Sequence, residues 1–356
     1  MSNLATKNTN AIVTVAAVVI IILGMQAAKI ILVPFLLAIF FALIALKPML
    51  WLQAYKVPPV LAAMVVVFAL LLVLVVVGSI VGTQIAAFTA AIPGYQTQLD
   101  DLMQGLLKFL GRISGNEISA VNIAELIDPG RAMGMAATLL NALRGVLTNT
   151  FLILFTMIFI LLEVSSVPTK IMAAFGRGVD TFQNVGDFLN NLGRYLGIKT
   201  LVSMGTGLIV GVMTWAIGLD YPLLWAMLAF LLNYIPNIGS IIAAVPAVLL
   251  ALIQLGPGEA TTTLLGFVAI NMAIGNIIEP RLMGHGVGIS SLIVFIGLIF
   301  WGWIFGPVGM LLSVPLTMAV KLALESDERT KWVAILIGSE RDAEHALAER
   351  EAAQPE

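Results

Sequence analysis

The chain has 356 residues, 60% of them hydrophobic and only 11% charged, with a mean hydropathy of +1.03. Soluble domains are roughly a quarter charged, and repeated apolar runs near the roughly 20 residues that cross a bilayer make this an integral membrane protein. A formal net charge of -2 without a basic tract argues against nucleic acid as a partner. The absence of cysteine excludes disulfides, thiolate metal sites and a cysteine nucleophile, and His285 and His345, with no neighbouring ligands, leave no zinc or haem site to expect.

In chain order, Lys7 precedes an apolar run from Ala11 to Met25. No small-residue cleavage site opens onto a polar chain, so a retained first helix is expected in place of a signal peptide. Ala11 to Met25 and Ile30 to Leu46 are expected to form a tight helical hairpin returning to the cytoplasm, where Lys47 and Lys56 flank a Pro48 to Pro59 connector. Val60 to Ala91 reads as one long helix that exceeds the roughly 30 Å hydrocarbon core and must tilt or project. These helices, residues 1–91, form a scaffold.

Residues 92–147 change character. Leu99, Leu102, Leu106, Leu107 and Leu110 recur at helical spacing with Asp100, Asp101, Gln104 and Lys108 between them, which describes an amphipathic helix outside the membrane. It is either a packed extracytoplasmic cap or an interfacial pair meeting neighbouring subunits. In residues 148–195, a short apolar helix from Thr148 to Leu162 carries Phe151, Phe155 and Phe159. The positive charge of the segment that follows (Lys170, Arg177, Arg194, Lys199) places it inside, with a helix from Phe175 to Tyr195 along the inner membrane surface.

Residues 196–324 form a further apolar region whose helices are expected to be broken. Leu196 to Gly218 crosses outward, and its Gly207 and Gly211 have the GxxxG spacing that admits a close helix neighbour, a spacing that also arises by chance in glycine-rich runs. Asp220 and Tyr221 form an outer turn; Pro222 to Leu232, Ile238 to Gln254 and Glu259 to Ile278 are further apolar segments. Leu292 to Phe305 is too short for a crossing, and with the glycine and proline of WGWIFGPVG at its tip it suits a re-entrant hairpin before Gly309 to Leu324 runs inward. Residues 325–356 are a charged cytoplasmic tail, a solvated helix or disordered. The expected fold is all-α and polytopic, about seven to eight transmembrane helices with broken or re-entrant hairpins and both termini cytoplasmic.

Two polar, glycine- and proline-bearing runs interrupt this apolar sequence: NYIPNIGS (Asn233 to Ser240) and GNIIEPRLMGHGVGISS (Gly275 to Ser291). Pro236 and Pro280 should each end or break a helix, and freed backbone survives at membrane depth only in protein or beside a wet cavity. The breaks therefore mark a substrate path. Asn233 and Asn237 supply amides and Tyr234 a hydroxyl, with Gly239 in the same run, and Gly275, Asn276, Gly284, Gly286 and Gly288 offer backbone amides for close approach; the alternative for Asn233 and Asn237 is that they cap the broken helix ends. Glu279 and Arg281 are the charged pair beside the second break, either in the path or at the interface fixing the loop. His285 reads as a polar loop residue more readily than as a proton relay. No HExxH, GxSxG or GxxxxGK[ST] occurs, so the familiar hydrolase and nucleotide-driven chemistries lack their motifs, and no catalytic residue or cofactor is expected.

NYIPNIGS, GNIIEPRLMGHGVGIS and FWGWIFGPVGMLLSVPLT (Phe300 to Thr317), with VPFLLAIFFALIALKP (Val33 to Pro48) and LIDP (Leu126 to Pro129), resemble signature regions of the autoinducer-2 exporter (PerM) family over nearly the whole chain. The resemblance implies a bacterial inner-membrane protein that exports the quorum-sensing signal autoinducer-2, a small furanone or its borate diester. It implies secondary or facilitated transport by an elevator-like alternating-access movement, and a homo-oligomer, a pentamer by preference. Other members resemble sodium/proton antiporters, so proton or sodium coupling is the alternative, and a non-transporting membrane scaffold is a third. On the export reading the amides of Asn233, Asn237 and Asn276 bind hydroxyls, Arg281 attracts the anionic borate form, and Glu279 balances charge or exchanges a proton.

Overall fold

The computed structural model describes residues 2–114, 149–164, 166, 170, 173, 180–236, 238–283, 288–327 and 329–352, and these form only helices and turns. The cap segment beyond residue 114, Asn237 and His285 lie outside the described residues. The helices are α1 (Ser2–Ala27), α2 (Lys29–Ala54), α3 (Pro59–Ser114), α4 (Thr150–Val164), α5 (Asp180–Ile217), α6 (Pro222–Leu232), α7 (Ile238–Gln254) and α8 (Pro257–Asn271). A π-helical stretch, Met272–Ile278, leads from α8 into α9 (Glu279–Met283). After it come α10 (Ser291–Phe305), α11 (Pro307–Leu311), α12 (Ser313–Glu325), α13 (Lys331–Ile337) and α14 (Glu340–Ala352).

Four helical stretches among the described residues are long and apolar enough to cross a membrane: Lys29–Ala54, Pro59–Tyr95, Phe188–Ile217 and Pro257–Met283. Shorter apolar helices, such as Thr150–Val164 and Ser291–Phe305, accompany them. Large apolar side chains stand outward on these helices, Ile30 at 80% and Trp215 at 72% exposure. Such contiguous apolar surface suits hydrocarbon, not water.

Three elements differ from the sequence expectation. α1 and α2 are not a tight hairpin: Ala28 has φ -86° and ψ 5°, its N–H donates to the Gly24 carbonyl at 2.9 Å, and its carbonyl accepts from the Leu32 N–H at 3.0 Å. The helical ladder passes through the joint, because a lone Lys29 supplies polarity but no turn-forming backbone. α3 continues through Pro93 to Ser114; an interior proline removes one donor and kinks a helix without having to end it when good helix formers such as Ala90 and Ala91 flank it. α5 runs unbroken from a polar start to an apolar end, so the change of composition near Tyr195 marks a change of surroundings, not a separate surface helix.

The chain divides into two compact units: residues 1–67, 149–192 and 288–356, and residues 68–148 and 193–287. In the first, α2 packs along α4, burying Leu37, Ala45, Met49, Ile153, Met157 and Leu161. Trp301, Ile304 and Phe305 of α10 form a core against Ile22, Met25, Leu32 and Leu36. α12 folds back along α10: the Trp301 indole N–H donates to Thr317 Oγ1 at 3.1 Å, and a Cβ on Gly297 would lie 2.7 Å from the same oxygen. The reversal turns at Gly306, whose φ of 68° and ψ of -149° fall in a region only glycine occupies without strain. Gly306→Ala is expected to cost about 1–3 kcal/mol, read as a lowered unfolding midpoint with no loss of helical signal below it.

The tail of this unit is clipped back onto the fold. Lys321 Nζ donates to Asp342 Oδ2 at 2.6 Å and to the Gly288 carbonyl at 2.7 Å, and the Ser290 N–H donates to the Ile337 carbonyl at 3.1 Å. Burial alone pushes the Asp342 carboxyl up, but the hydrogen bonds it accepts from Lys321 and from the Ser339 N–H outweigh that and hold it below the ordinary carboxylate range. A depressed carboxyl stabilises above its unfolded value, near 4 by the usual aspartate reference of about 3.9, and the contribution is lost as pH falls through the folded value. Asp342→Asn is therefore expected to raise amide exchange at Ser290 and Ser339 at neutral pH, and strong acid to do the same to the unaltered chain.

In the second unit, α7 packs against α6 and α8. Gly207 and Gly211 of α5 face α6: a Cβ on Gly207 would lie 2.7 Å from the Ala226 carbonyl oxygen, and one on Gly211 2.9 Å from Ala226 Cβ. Phe88 of α3 is fully buried and meets Tyr221 and Trp225 edge-on at 5.7 and 5.6 Å. A polar knot closes the Asp220 turn: the Tyr95 hydroxyl donates to Asp220 Oδ2 at 3.1 Å, the Asp220 N–H to Gln254 Oε1 at 3.0 Å, and the Trp225 indole N–H to the Asp220 carbonyl at 2.7 Å.

Candidate functional site

The first polar run breaks the helix as expected of Pro236. α6 ends at Leu232 and α7 begins at Ile238, and the Ile238 N–H turns back to the Pro236 carbonyl at 2.6 Å. The break is tightly folded on itself, because a Cβ on buried Gly239 would run into the Leu232 carbonyl.

The second run differs from expectation: the helix does not unwind at Pro280. α8 widens into the π-helical Met272–Ile278, the Glu279 N–H donates to the Ile274 carbonyl five residues back, and Pro280 sits inside α9. In an α-helix the proline ring would strike the carbonyl of Asn276 and leave it without a donor. The wider π turn supplies another way through, and such turns concentrate at functional positions. Asn276, Pro280 and Arg281 face outward from this stretch, so they do not converge with Asn233 and Tyr234.

Glu279 does face inward, and its partner is Lys199 of α5, not Arg281. Lys199 Nζ lies 2.5 Å from Glu279 Oε1, with the two side chains 5% and 17% exposed. One turn earlier on α5, the buried Tyr195 is within electrostatic reach of both Glu279 and Tyr234. The Tyr234 hydroxyl donates to Thr200 Oγ1 at 2.7 Å, and the Thr200 hydroxyl in turn donates to the Leu196 carbonyl at 2.7 Å. Asn233 Nδ2 donates to Ser203 Oγ at 2.9 Å.

Beyond Ser203, Asn233 joins Thr206, Ser240 and Asn271 around a cavity of about 10 Å³ whose remaining lining is apolar, Val210, Phe267 and Ile274 among it. That is about the room one water needs, and the polar partners suit one. Lys199, Ser203, Thr206 and Val210 follow helical spacing, so one face of α5 carries ammonium, hydroxyl and hydroxyl in sequence along its apolar half. Among the described residues no group of histidine, aspartate and glutamate side chains is arranged to hold a metal ion.

Lys199, Thr200, Ser203, Thr206 and Asn271 are absent from the sequence-based site. The signal for Lys199 is chemical: a carboxylate at membrane depth needs a counter-charge, and Lys199 lies on the segment that continues into the next crossing. Its positive charge, counted with Lys170, Arg177 and Arg194, reads instead as an inside loop.

Apolar, membrane-spanning helices that keep a largely desolvated ion pair, a line of hydroxyls and a small, partly polar cavity beside one broken and one π-wound helix define a transporter class. The sequence matches the family described as AI-2E family transporter over residues 14–327, and the chain belongs to that family. It is 38% identical over 326 residues to the AI-2 transport protein TqsA of Escherichia coli (strain K12), covering 92% of this chain and 94% of that protein. It is 39% identical over 333 residues to a putative transport protein of Haemophilus influenzae, covering 92% and 96%, and 35% identical over 329 residues to the putative transport protein YhhT of Escherichia coli (strain K12), covering 92% and 93%.

Proposed function

We propose that this membrane transporter exports autoinducer-2 across the bacterial inner membrane and so serves quorum sensing. The observation that carries the reading is the polar face of α5, where Lys199, Ser203 and Thr206 meet Glu279 and Asn233 within helices otherwise fit for lipid. Neutral amides and hydroxyls suit a small polyhydroxylated solute, and the family relative TqsA is named for AI-2 transport. In this reading the track opens alternately to either side in an elevator-like movement, as secondary or facilitated transport, in a homo-oligomer, a pentamer by preference, with both termini cytoplasmic.

A second reading, sodium/proton exchange, draws on the half-buried Glu279, since a carboxylate that leaves its lysine partner can carry a proton. Reconstituted vesicles separate the two. Autoinducer-2 flux that saturates, without sodium-dependent proton movement, is the expected result. Sodium-driven proton flux with no autoinducer-2 flux would replace export by exchange.

A further inference from the structure

We propose that Lys199 is the anion-binding residue of the site, that Glu279 occupies its place when no solute is bound, and that the solute is taken as a small monoanion together with a proton. The inference rests on the export reading only for the choice of one probe.

A buried ammonium cannot be left unmatched: removing one partner of a buried pair leaves an uncompensated charge in a low-dielectric site. Lys199 is the more buried partner, whereas Glu279 keeps a partly open side and stands on the short α9, just past the π-helical stretch. Glu279 is thus the member able to withdraw. When it does, Lys199 needs another negative charge and Glu279 needs neutralising. A monoanion supplies the first and a proton the second, so the site keeps its net charge: Glu279 carboxylate plus proton gives the carboxylic acid, while the solute anion takes its place on the ammonium.

Among the described residues Tyr195 of α5 is within electrostatic reach of Glu279, and Tyr234, in the break after α6, hydrogen-bonds Thr200, the residue next to Lys199. Arg194 and Arg281 are exposed and offer no buried alternative to Lys199. The Ser203 hydroxyl, one turn along α5 from Lys199, suits an anion that also carries hydroxyl groups.

The test is binding to the purified full-length protein, with proton exchange read by a pH dye in weak buffer. Autoinducer-2 is offered with borate, as the anionic diester, and without borate, as the neutral furanone. Wild type is expected to take up a proton for each anion bound and none for the neutral form. Glu279→Gln is expected to bind the anionic form roughly tenfold or more tightly with no proton uptake, and Lys199→Gln/Glu279→Gln to lose the preference for the anion.

A second arm needs no knowledge of the solute. Glu279→Ala is expected to rise in unfolding midpoint with added acetate, which replaces the missing carboxylate, while Lys199→Met/Glu279→Ala is not. Anion binding without proton uptake, an unchanged affinity in Glu279→Gln, or no acetate effect on Glu279→Ala would each overturn the proposal. Failure of both forms of autoinducer-2 to bind, with the acetate effect intact, would instead remove the export reading and leave Lys199 as the anion site.

Discussion

Lys199→Met is expected to destabilise the folded protein by about 3–5 kcal/mol, and Lys199→Met combined with Glu279→Leu to recover most of that loss. The single substitution leaves the Glu279 carboxylate, only partly open to solvent, without its counter-charge, and the cost is that of breaking one side of a largely desolvated pair. The double substitution replaces both charges by apolar groups of similar volume, an exchange that is often neutral or stabilising. Unfolding midpoints in detergent for the two single variants and the double give the coupling directly. Additive losses would mean that the two side chains do not depend on one another. Transport is expected to fail in the single and the double variant alike, which separates the role of the pair in function from its role in stability.

Gly239→Val is expected to destabilise the folded protein by about 3 kcal/mol, the upper end for overpacking. The reason is local: any side chain at 239 meets the backbone carbonyl of Leu232, not the movable end of a neighbour, and the break between α6 and α7 cannot yield without shifting Asn233 and Tyr234. Yield of monodisperse protein and its unfolding midpoint check this; a variant as stable as wild type would show that the break is loosely packed. Gly205→Ala on α5, where a Cβ meets nothing within 4 Å, is the matched control and is expected to behave as wild type.

The membrane class and the break at Pro236 were legible in the sequence, because apolar length and a proline within it act locally and need no partner to be understood. Glu279 stood out for the same reason, as a charge where apolar residues surround it. Its partner did not, since pairing Lys199 with a residue 80 positions away depends on how α5 meets the π-wound stretch. The π-helix itself is hidden because Pro280 announces a missing donor without saying whether the chain unwinds or widens to absorb it. Asn276 and Arg281 are close to Glu279 in sequence, yet both are exposed where Glu279 turns inward to Lys199. At Ala28 and at Tyr195 a change of polarity suggests an end of structure, whereas backbone hydrogen bonding continues where nothing interrupts it.

The absence of cysteine in the chain makes the central claim, that the polar face of α5 is the solute path, directly measurable. Single cysteines at Ser203, Thr206 and Leu208 can be tested in sealed vesicles with a membrane-impermeant thiol reagent, with and without autoinducer-2. Labelling at 203 and 206 that the solute suppresses, and no labelling at the outward-facing Leu208, is the predicted result. Cysteines at 203 and 206 that stay unlabelled from either side during transport would contradict it.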